Sequence, residues 1–286
     1  MNLYDSEEIR SLLNRHGFRF SHSMGQNFLI DPAIPRRIAE ASGCGPESGV
    51  LEIGPGIGPL TAELSDRAGK VVAVELDRSL LPVLAETLSG RSNVEIIPGD
   101  ILKLDLTRLA EEHLSGLTPM VSSNLPYNIT TPVLSLLAET PCFTSVTVLV
   151  QREVAHRICA APGDPECGAS ALLIQYRMES ALLFDVPPAC FYPAPKVTSS
   201  VIRCTRRTQP AVRVDDEALL FRVIRGAFLL RRKTLANSLS AAFPELGKAR
   251  TEAWITSCGL SPSIRGERLS LQDFANLTNS LNRDGM

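Results

Sequence analysis

The 286-residue chain carries 29 Lys and Arg against 31 Asp and Glu, a formal net charge of −2, and 44% hydrophobic residues. That is enough apolar material for one large domain or two of ordinary size, and the charge balance gives no overall sign of a nucleic-acid binder. No run approaches the ~20 apolar residues of a membrane span, and Met-Asn-Leu-Tyr-Asp-Ser-Glu-Glu at the start lacks the regions of a signal peptide, so a cytosolic protein is expected.

Taken in order, residues 2–20 read as a short helix with apolar Leu3, Ile9, Leu12 and Leu13. Ser23 to Asp31 reads as a loop marked by Gly25, yet Phe28, Leu29 and Ile30 are apolar and must fold onto something. Asp31 and Pro32 suit the N-cap and first position of a helix running to Ala41. Strands are expected at 50–53, 70–74, 94–97, 120–123 and 146–150, with helices at 60–67, up to 88, and 131–139. Alternating strands and helices imply a parallel, doubly wound α/β sheet whose ligands sit at the carboxyl ends of the strands. Helices at 151–160 and 170–175 and strands at 182–186 and 197–204 follow. Beyond Asp215 the reading is helical, over 216–241, 245–257 and 270–282. A boundary near Gln209-Pro210 gives domains of 1–209 and 210–286.

The seven cysteines are scattered with no CxxC pair, which reads as reduced thiols. The four histidines show no metal-ligand spacing, so no metal is expected.

Gly54-Pro-Gly56-Ile-Gly58 lies between a strand and a helix, the place of a nucleotide-binding turn. The dinucleotide fingerprint needs G-x-G-x-x-G. Here Pro59 holds the last position, which argues against a nicotinamide or flavin. Glu75 follows Gly54 by about the 20 residues expected of an acid gripping ribose hydroxyls. Asp100, ending the next strand, is placed to accept from an adenine amine. Ribose and adenine without phosphates point to S-adenosylmethionine. Taken singly, either acid also reads as a helix N-terminal residue.

Val121-Ser-Ser-Asn-Leu-Pro-Tyr-Asn128 is the stretch on which the rest converges. Pro126 biases Leu125 toward extended geometry. The Asn124 amide and the nearby carbonyls then leave the strand end beside the flat face of Tyr127, an arrangement suited to an exocyclic amine on a planar base. An ordinary Asx turn with a packing tyrosine fits these four residues equally well.

Several blocks resemble one family. They are Gly25-Gln-Asn-Phe-Leu-Ile-Asp31, Leu51-Glu-Ile-Gly-Pro-Gly-Ile-Gly-Pro-Leu-Thr61, Asn124-Leu-Pro-Tyr127, Gln151-Arg-Glu-Val-Ala-His-Arg157, Phe191-Tyr-Pro-Ala-Pro-Lys-Val197, Arg231-Arg-Lys-Thr-Leu-Ala-Asn-Ser238 and Arg265-Gly-Glu-Arg-Leu-Ser270. Together they resemble the bacterial small-subunit rRNA adenine N6,N6-dimethyltransferases, from about residue 20 to the end. The resemblance implies a Rossmann-like methyltransferase domain with a smaller helical domain. It implies cofactor contacts at Asn27, Leu29, Gly54, Glu75, Asp100 and Asn124, with Gly56 in the same turn. Cys167 and Ala169 stand where the family has an aromatic and a larger or basic residue.

On this reading the Asn124 side chain and a backbone carbonyl of the Leu125-Pro126 turn accept both N6 hydrogens. Tyr127 stacks on one face of a flipped adenine and Phe191 closes the other, core packing being the alternative for Phe191. Nine basic residues lie between Arg203 and Lys233, against Asp215, Asp216 and Glu217. Arg222, Arg225, Arg232 and Lys233 fall on about 100° of one expected helix, with Arg206 and Arg207 before it. They are the expected phosphate contacts to rRNA of an immature small subunit. A merely solvated face is the plainer reading. A monomer is the simplest expectation. A large-subunit rRNA methyltransferase and an assembly checkpoint acting through RNA binding are the alternatives.

Overall fold

A computed structural model of the chain describes residues 2–18, 26–230 and 232–283; Ser23 to Gly25 of the expected loop lie outside them. The strands are β1 (Phe28–Leu29), β2 (Ser48–Ile53), β3 (Lys70–Glu75), β4 (Val94–Pro98), β5 (Thr118–Asn124), β6 (Ser145–Gln151), β7 (Met178–Val186), β8 (Phe191–Tyr192) and β9 (Ser199–Arg206). Contacts divide the chain into two compact units, Met1–Ala155 with Ser180–Arg206, and His156–Glu179 with Arg207–Met286. One crossing adjoins the expected boundary. The segment 156–179, read by sequence as part of the first domain, groups with the C-terminal helices instead.

The first unit is built on a seven-stranded sheet of order β4-β3-β2-β5-β6-β9-β7. The five strands β2 to β6 pair in parallel, and β9 runs antiparallel to β6 from Gln151↔Ser199 to Ser145↔Thr205. The sheet is therefore mixed, with an antiparallel strand beside the parallel set. The expected helices are α1 (Ser6–Arg15), α2 (Ala33–Ser42), α3 (Pro59–Ser65) and α4 (Leu81–Thr87). A fifth, α5 (Leu106–His113), was not expected. The Asp105 carboxylate caps it by accepting from the Thr107 and Arg108 amides, and Leu106, Leu109 and Ala110 are buried. The helix α2 begins one residue later than expected: Pro32 holds its N-cap position with no side-chain cap, and the Asp31 carboxylate ahead of it accepts from the Ala33 N–H at 2.9 Å.

The apolar Phe28 and Leu29 have an identifiable destination. They form β1, which pairs antiparallel with β8 (Phe28↔Tyr192, Leu29↔Phe191). Phe28 also packs with Ile9, Leu12 and Leu13 of α1 and with Ile57, Leu80 and Val83. Beyond β5 come α6 (Thr130–Glu139), α7 (Arg152–Cys159) and α8 (Ala169–Arg177).

The second unit contains α9 (Glu217–Ala227), α10 (Leu235–Ala242), α11 (Gly247–Ser257) and α12 (Leu271–Arg283). Its core includes Leu220, Val223, Leu239, Trp254, Phe274 and Leu277. The Trp254 indole N–H is satisfied by the Leu277 carbonyl at 3.0 Å. The single expected helix 216–241 is corrected to two. Thr234, with extended backbone (φ −68°, ψ 160°), opens α10, and its hydroxyl accepts from the Asn237 N–H. Thr-x-x-Asn is a start signal that overrides helical continuation. Arg232 and Lys233 thus sit in a turn before α10, not on one face with Arg222 and Arg225.

Among the described residues, no helix is long and apolar enough to cross a membrane, and no group of three His, Cys, Asp or Glu could hold a metal.

Candidate active site

The carboxyl ends of β2 to β5 open into one cavity of about 210 Å³. Asn27, Leu29, Gly54, Gly56, Glu75, Asp100, Asn124, Leu125, Pro126 and Tyr127 all line it. The glycine turn is built for close approach. Gly54 and Gly56 have φ of 69° and 62°, a region that costs a side-chain-bearing residue energy. A Cβ on Gly56 would also meet the Phe28 ring at 3.0 Å.

Glu75 is fixed at the end of β3. One oxygen accepts from the Asp77 N–H at 2.8 Å and the other from the Gly56 N–H at 3.4 Å. Burial pushes its carboxyl above the ordinary value despite these bonds. Asp100 accepts from the Leu102 N–H at 3.1 Å, which points its carboxylate along the strand end. Asp77 in turn accepts from the Gln26 amide at 2.8 Å, tying the segment before β1 to the β3 end.

Asn124 has a defined orientation. Its Nδ2 donates to the Asn27 carbonyl at 3.2 Å, so Oδ1 faces the other way as an acceptor. The Leu125 N–H donates to the Leu149 carbonyl, and the Pro126 carbonyl accepts from the Ile129 N–H and the Thr130 hydroxyl. The Leu125 carbonyl takes part in none of these turn bonds. Ser123 Oγ donates to the Ile53 carbonyl at 2.6 Å, locking the end of β5 to the end of β2.

Glu52 belongs to the site, although the sequence reading passed over it as part of a buried strand. It is 1% exposed, lines the cavity, and its Oε2 has no hydrogen-bond partner. A glutamate inside an otherwise apolar strand was the available signal. Burial, opposed by the Thr61 hydroxyl and reinforced by Glu75, pushes its carboxyl up to about 8.

Because the folded value lies above the ordinary 4.5, the native state holds the extra proton between these limits. Stability from this group is greatest below pH 4.5, falls as pH rises, and is lowest above about 8. Glu52→Gln is therefore expected to gain stability relative to the cofactor-free wild type as pH rises from 6 to 8.5. Denaturant unfolding at both values reads the difference, and an equal difference at both would show that Glu52 is not a buried neutral acid.

Phe191 is corrected. It is 2% exposed, packs with Leu29, Ile34, Ile38, Val186 and Val201, and does not line the cavity. Its place opposite Leu29 in the β1–β8 pair turns it into the core.

Arg206 is corrected as well. Its guanidinium donates to the carbonyls of Leu137, Ala138, Thr140 and Phe143, closing the C-terminal end of α6. A cation there also opposes the negative end of the helix. Arg206→Ala is expected to cost about 2–4 kcal/mol of stability, because buried carbonyls lose a charged donor. Denaturant unfolding measures it; unchanged stability with weaker RNA binding would return Arg206 to the RNA surface.

In the helical unit, Arg207 Nε donates to the Gln175 carbonyl at 3.2 Å. Arg222 bridges to Glu245 at 2.6 Å and lies 4.1 Å over the Phe243 ring. Arg225, Arg232 and Lys233 are exposed. Cys167, one of the departures from the family pattern, is buried, and Ala169 begins α8.

Comparison with known proteins places this geometry. The family model for ribosomal RNA adenine dimethylases matches residues 17–283. The chain belongs to the ribosomal RNA adenine dimethylases. A protein of Pelotomaculum thermopropionicum named ribosomal RNA small subunit methyltransferase A is 47% identical over 282 residues, covering 95% of each chain. One of the same name from Streptococcus equi subsp. zooepidemicus is 44% identical over 290 residues, covering all of both chains. Among solved structures, the 23S rRNA methyltransferase ErmE aligns with TM-score 0.68 and 27% identity, covering 90% of this chain and 100% of its own. A dimethyladenosine transferase from Plasmodium falciparum aligns with TM-score 0.72 and 23% identity over 91% and 98%, which supports the fold. As a family member, the chain is an rRNA adenine methyltransferase with the Rossmann-like sheet and helical part that its strands and helices form.

Proposed function

We propose that this enzyme uses S-adenosylmethionine to dimethylate N6 of adenines in small-subunit rRNA. The observation that carries the reading is the Asn124 amide, oriented by Asn27, in a cavity lined by Glu52, Glu75 and Asp100 and, among the described residues, by no basic side chain. Such a lining offers phosphates no cationic partner. It suits a cationic ligand whose hydroxyls and amine donate to carboxylates. Glu52 keeps its proton in the cofactor-free protein, and a cationic donor beside its orphaned oxygen would favour the carboxylate form. Glu75 would hold the ribose hydroxyls and Asp100 the adenine amine, with Gly54 and Gly56 allowing close approach. Bound there, the cofactor supplies an electrophilic methyl on a sulfonium sulfur.

The adenine N6 lone pair is delocalised into the ring and is a poor nucleophile. Asn124 Oδ1 and the Leu125 carbonyl accept the two N6 hydrogens and favour a pyramidal nitrogen with its lone pair free. The Pro126 carbonyl is excluded from that role by its bonds to Ile129 and Thr130. Positioning supplies much of the acceleration. The base must leave its stack to reach the cavity, and Tyr127 offers the π-face that receives it. After the first transfer one N–H remains, so a single acceptor is engaged in the second.

Small-subunit rRNA is the substrate favoured by the near-full-length relatives named for that subunit. Under-methylated small and large subunits offered in parallel, with labelled cofactor, test this choice. Label is expected in small-subunit rRNA; label confined to the large subunit would reverse it.

A further inference from the structure

Tyr127 is the residue whose orientation matters most to a stacked base, and its ring is held at both ends. The Pro126–Ile129 turn fixes the Cα end, with the Ile129 N–H bonded to the Pro126 carbonyl at 3.2 Å. At the far end, Tyr127 Oη lies 2.6 Å from Ser199 Oγ. Ser199 is 0% exposed and stands at the first position of β9, in register with Gln151 of β6. The neighbouring Ser200 hydroxyl serves a different partner, donating to Asp185 at 2.6 Å, as expected for alternate faces of a strand. Among the described residues, the partner of the Ser199 hydroxyl is the tyrosine. Burial raises the phenol above its ordinary value, with Ser199 pulling the other way. The ring stays a neutral platform and not a base.

We propose that Ser199 is a positioning residue for methyl transfer: its hydroxyl anchors the Tyr127 phenol to β9 so that the ring offers a fixed face to the acceptor adenine. It touches neither cofactor nor base and acts only through Tyr127. This rests on Tyr127 being the stacking surface. The geometry resembles the device at Asn124, where a backbone carbonyl of the segment before β1 holds the amide. In both cases the strand end that carries the chemistry is aimed by a group from a different part of the first unit.

The test is a double-mutant cycle between Ser199→Ala and Tyr127→Phe, with Tyr127→Ala alongside. Cofactor affinity by calorimetry, and kcat and KM with under-methylated subunits, are measured for each. Either single change removes the same hydrogen bond while keeping the ring. Each is expected to lower kcat roughly 10-fold, since small misplacements near the reacting atoms are costly. The pair together is expected to be no worse than either alone, and cofactor affinity is expected to stay at the wild-type level in these three variants, which keep the ring. Tyr127→Ala, which deletes the platform, is expected to fall further.

Wild-type turnover in Tyr127→Ala would overturn the stacking role and the proposal with it. A defect in Tyr127→Ala with Ser199→Ala silent, or multiplying onto Tyr127→Phe, overturns the Ser199 assignment alone. If Ser199→Ala does not fold, Tyr127→Phe carries the test from the other end of the bond, and wild-type kcat there is the overturning result.

Discussion

Replacing Asn124 by alanine is expected to lower kcat by at least about 100-fold while leaving cofactor binding measurable, the size of loss typical when one preorganised polar group is removed from a reacting centre. Three features make the effect large. The Asn124 amide is oriented by the Asn27 carbonyl at 3.2 Å, so its oxygen is already aimed before substrate arrives. The other acceptor, the Leu125 carbonyl, enters the Pro126 turn, which is pinned by the proline ring and by the Ile129 and Thr130 bonds to the Pro126 carbonyl, so it cannot reorient to compensate. No carboxylate replaces the amide, since Glu75 and Asp100 are fixed by backbone N–H groups at other strand ends. Single-turnover transfer and calorimetry separate the two effects. Wild-type turnover in Asn124→Ala would remove the amine-acceptor mechanism.

Charge reversal at Arg232 and Lys233 is expected to weaken binding of small-subunit rRNA about 10- to 100-fold at moderate salt and to make its salt dependence shallower by about two units of log–log slope. Both residues are exposed in the turn before α10. Arg222 is the internal comparison. It already serves Glu245, the Ala242 carbonyl and the Phe243 ring, so Arg222→Glu is expected to change the salt slope less and to perturb the α9–α10 packing instead. Cofactor affinity should be unaffected by the turn variant, because neither residue lines the cavity. An unchanged slope would take this turn off the RNA surface.

What was legible in the sequence, and what was not, divides along physical lines. Gly54, Glu75, Asp100 and Asn124 could be assembled in advance because parallel strands place their carboxyl ends together, and ends are marked by polar residues after apolar runs. The β1–β8 pair was only half legible. The apolar Phe28-Leu29 showed that the loop had to pack, but its partner lies far along the chain. Phe191 and Arg206 were misread for a common reason. An aromatic between prolines and an arginine near a basic run look exposed in one dimension, whereas burial and carbonyl partners are tertiary facts.

The break at Thr234 and the helix after Asp105 were legible in principle. Both begin with a capping residue whose side chain accepts from the next amides. Hydrophobic periodicity alone carried the helix through the first and passed over the second. Glu52 was visible as a charge in an apolar strand, but its lack of a partner was not.

The reaction itself is read by transfer of labelled methyl from S-adenosylmethionine to under-methylated small subunits, followed by digestion of the rRNA and identification of the labelled nucleoside. N6,N6-dimethyladenosine is the expected product, with its appearance abolished in Asn124→Ala. Label on another base, or cofactor bound tightly with no transfer to adenine, would contradict the account of a site in which Asn124, Leu125 and Tyr127 present an adenine amine to the methyl group.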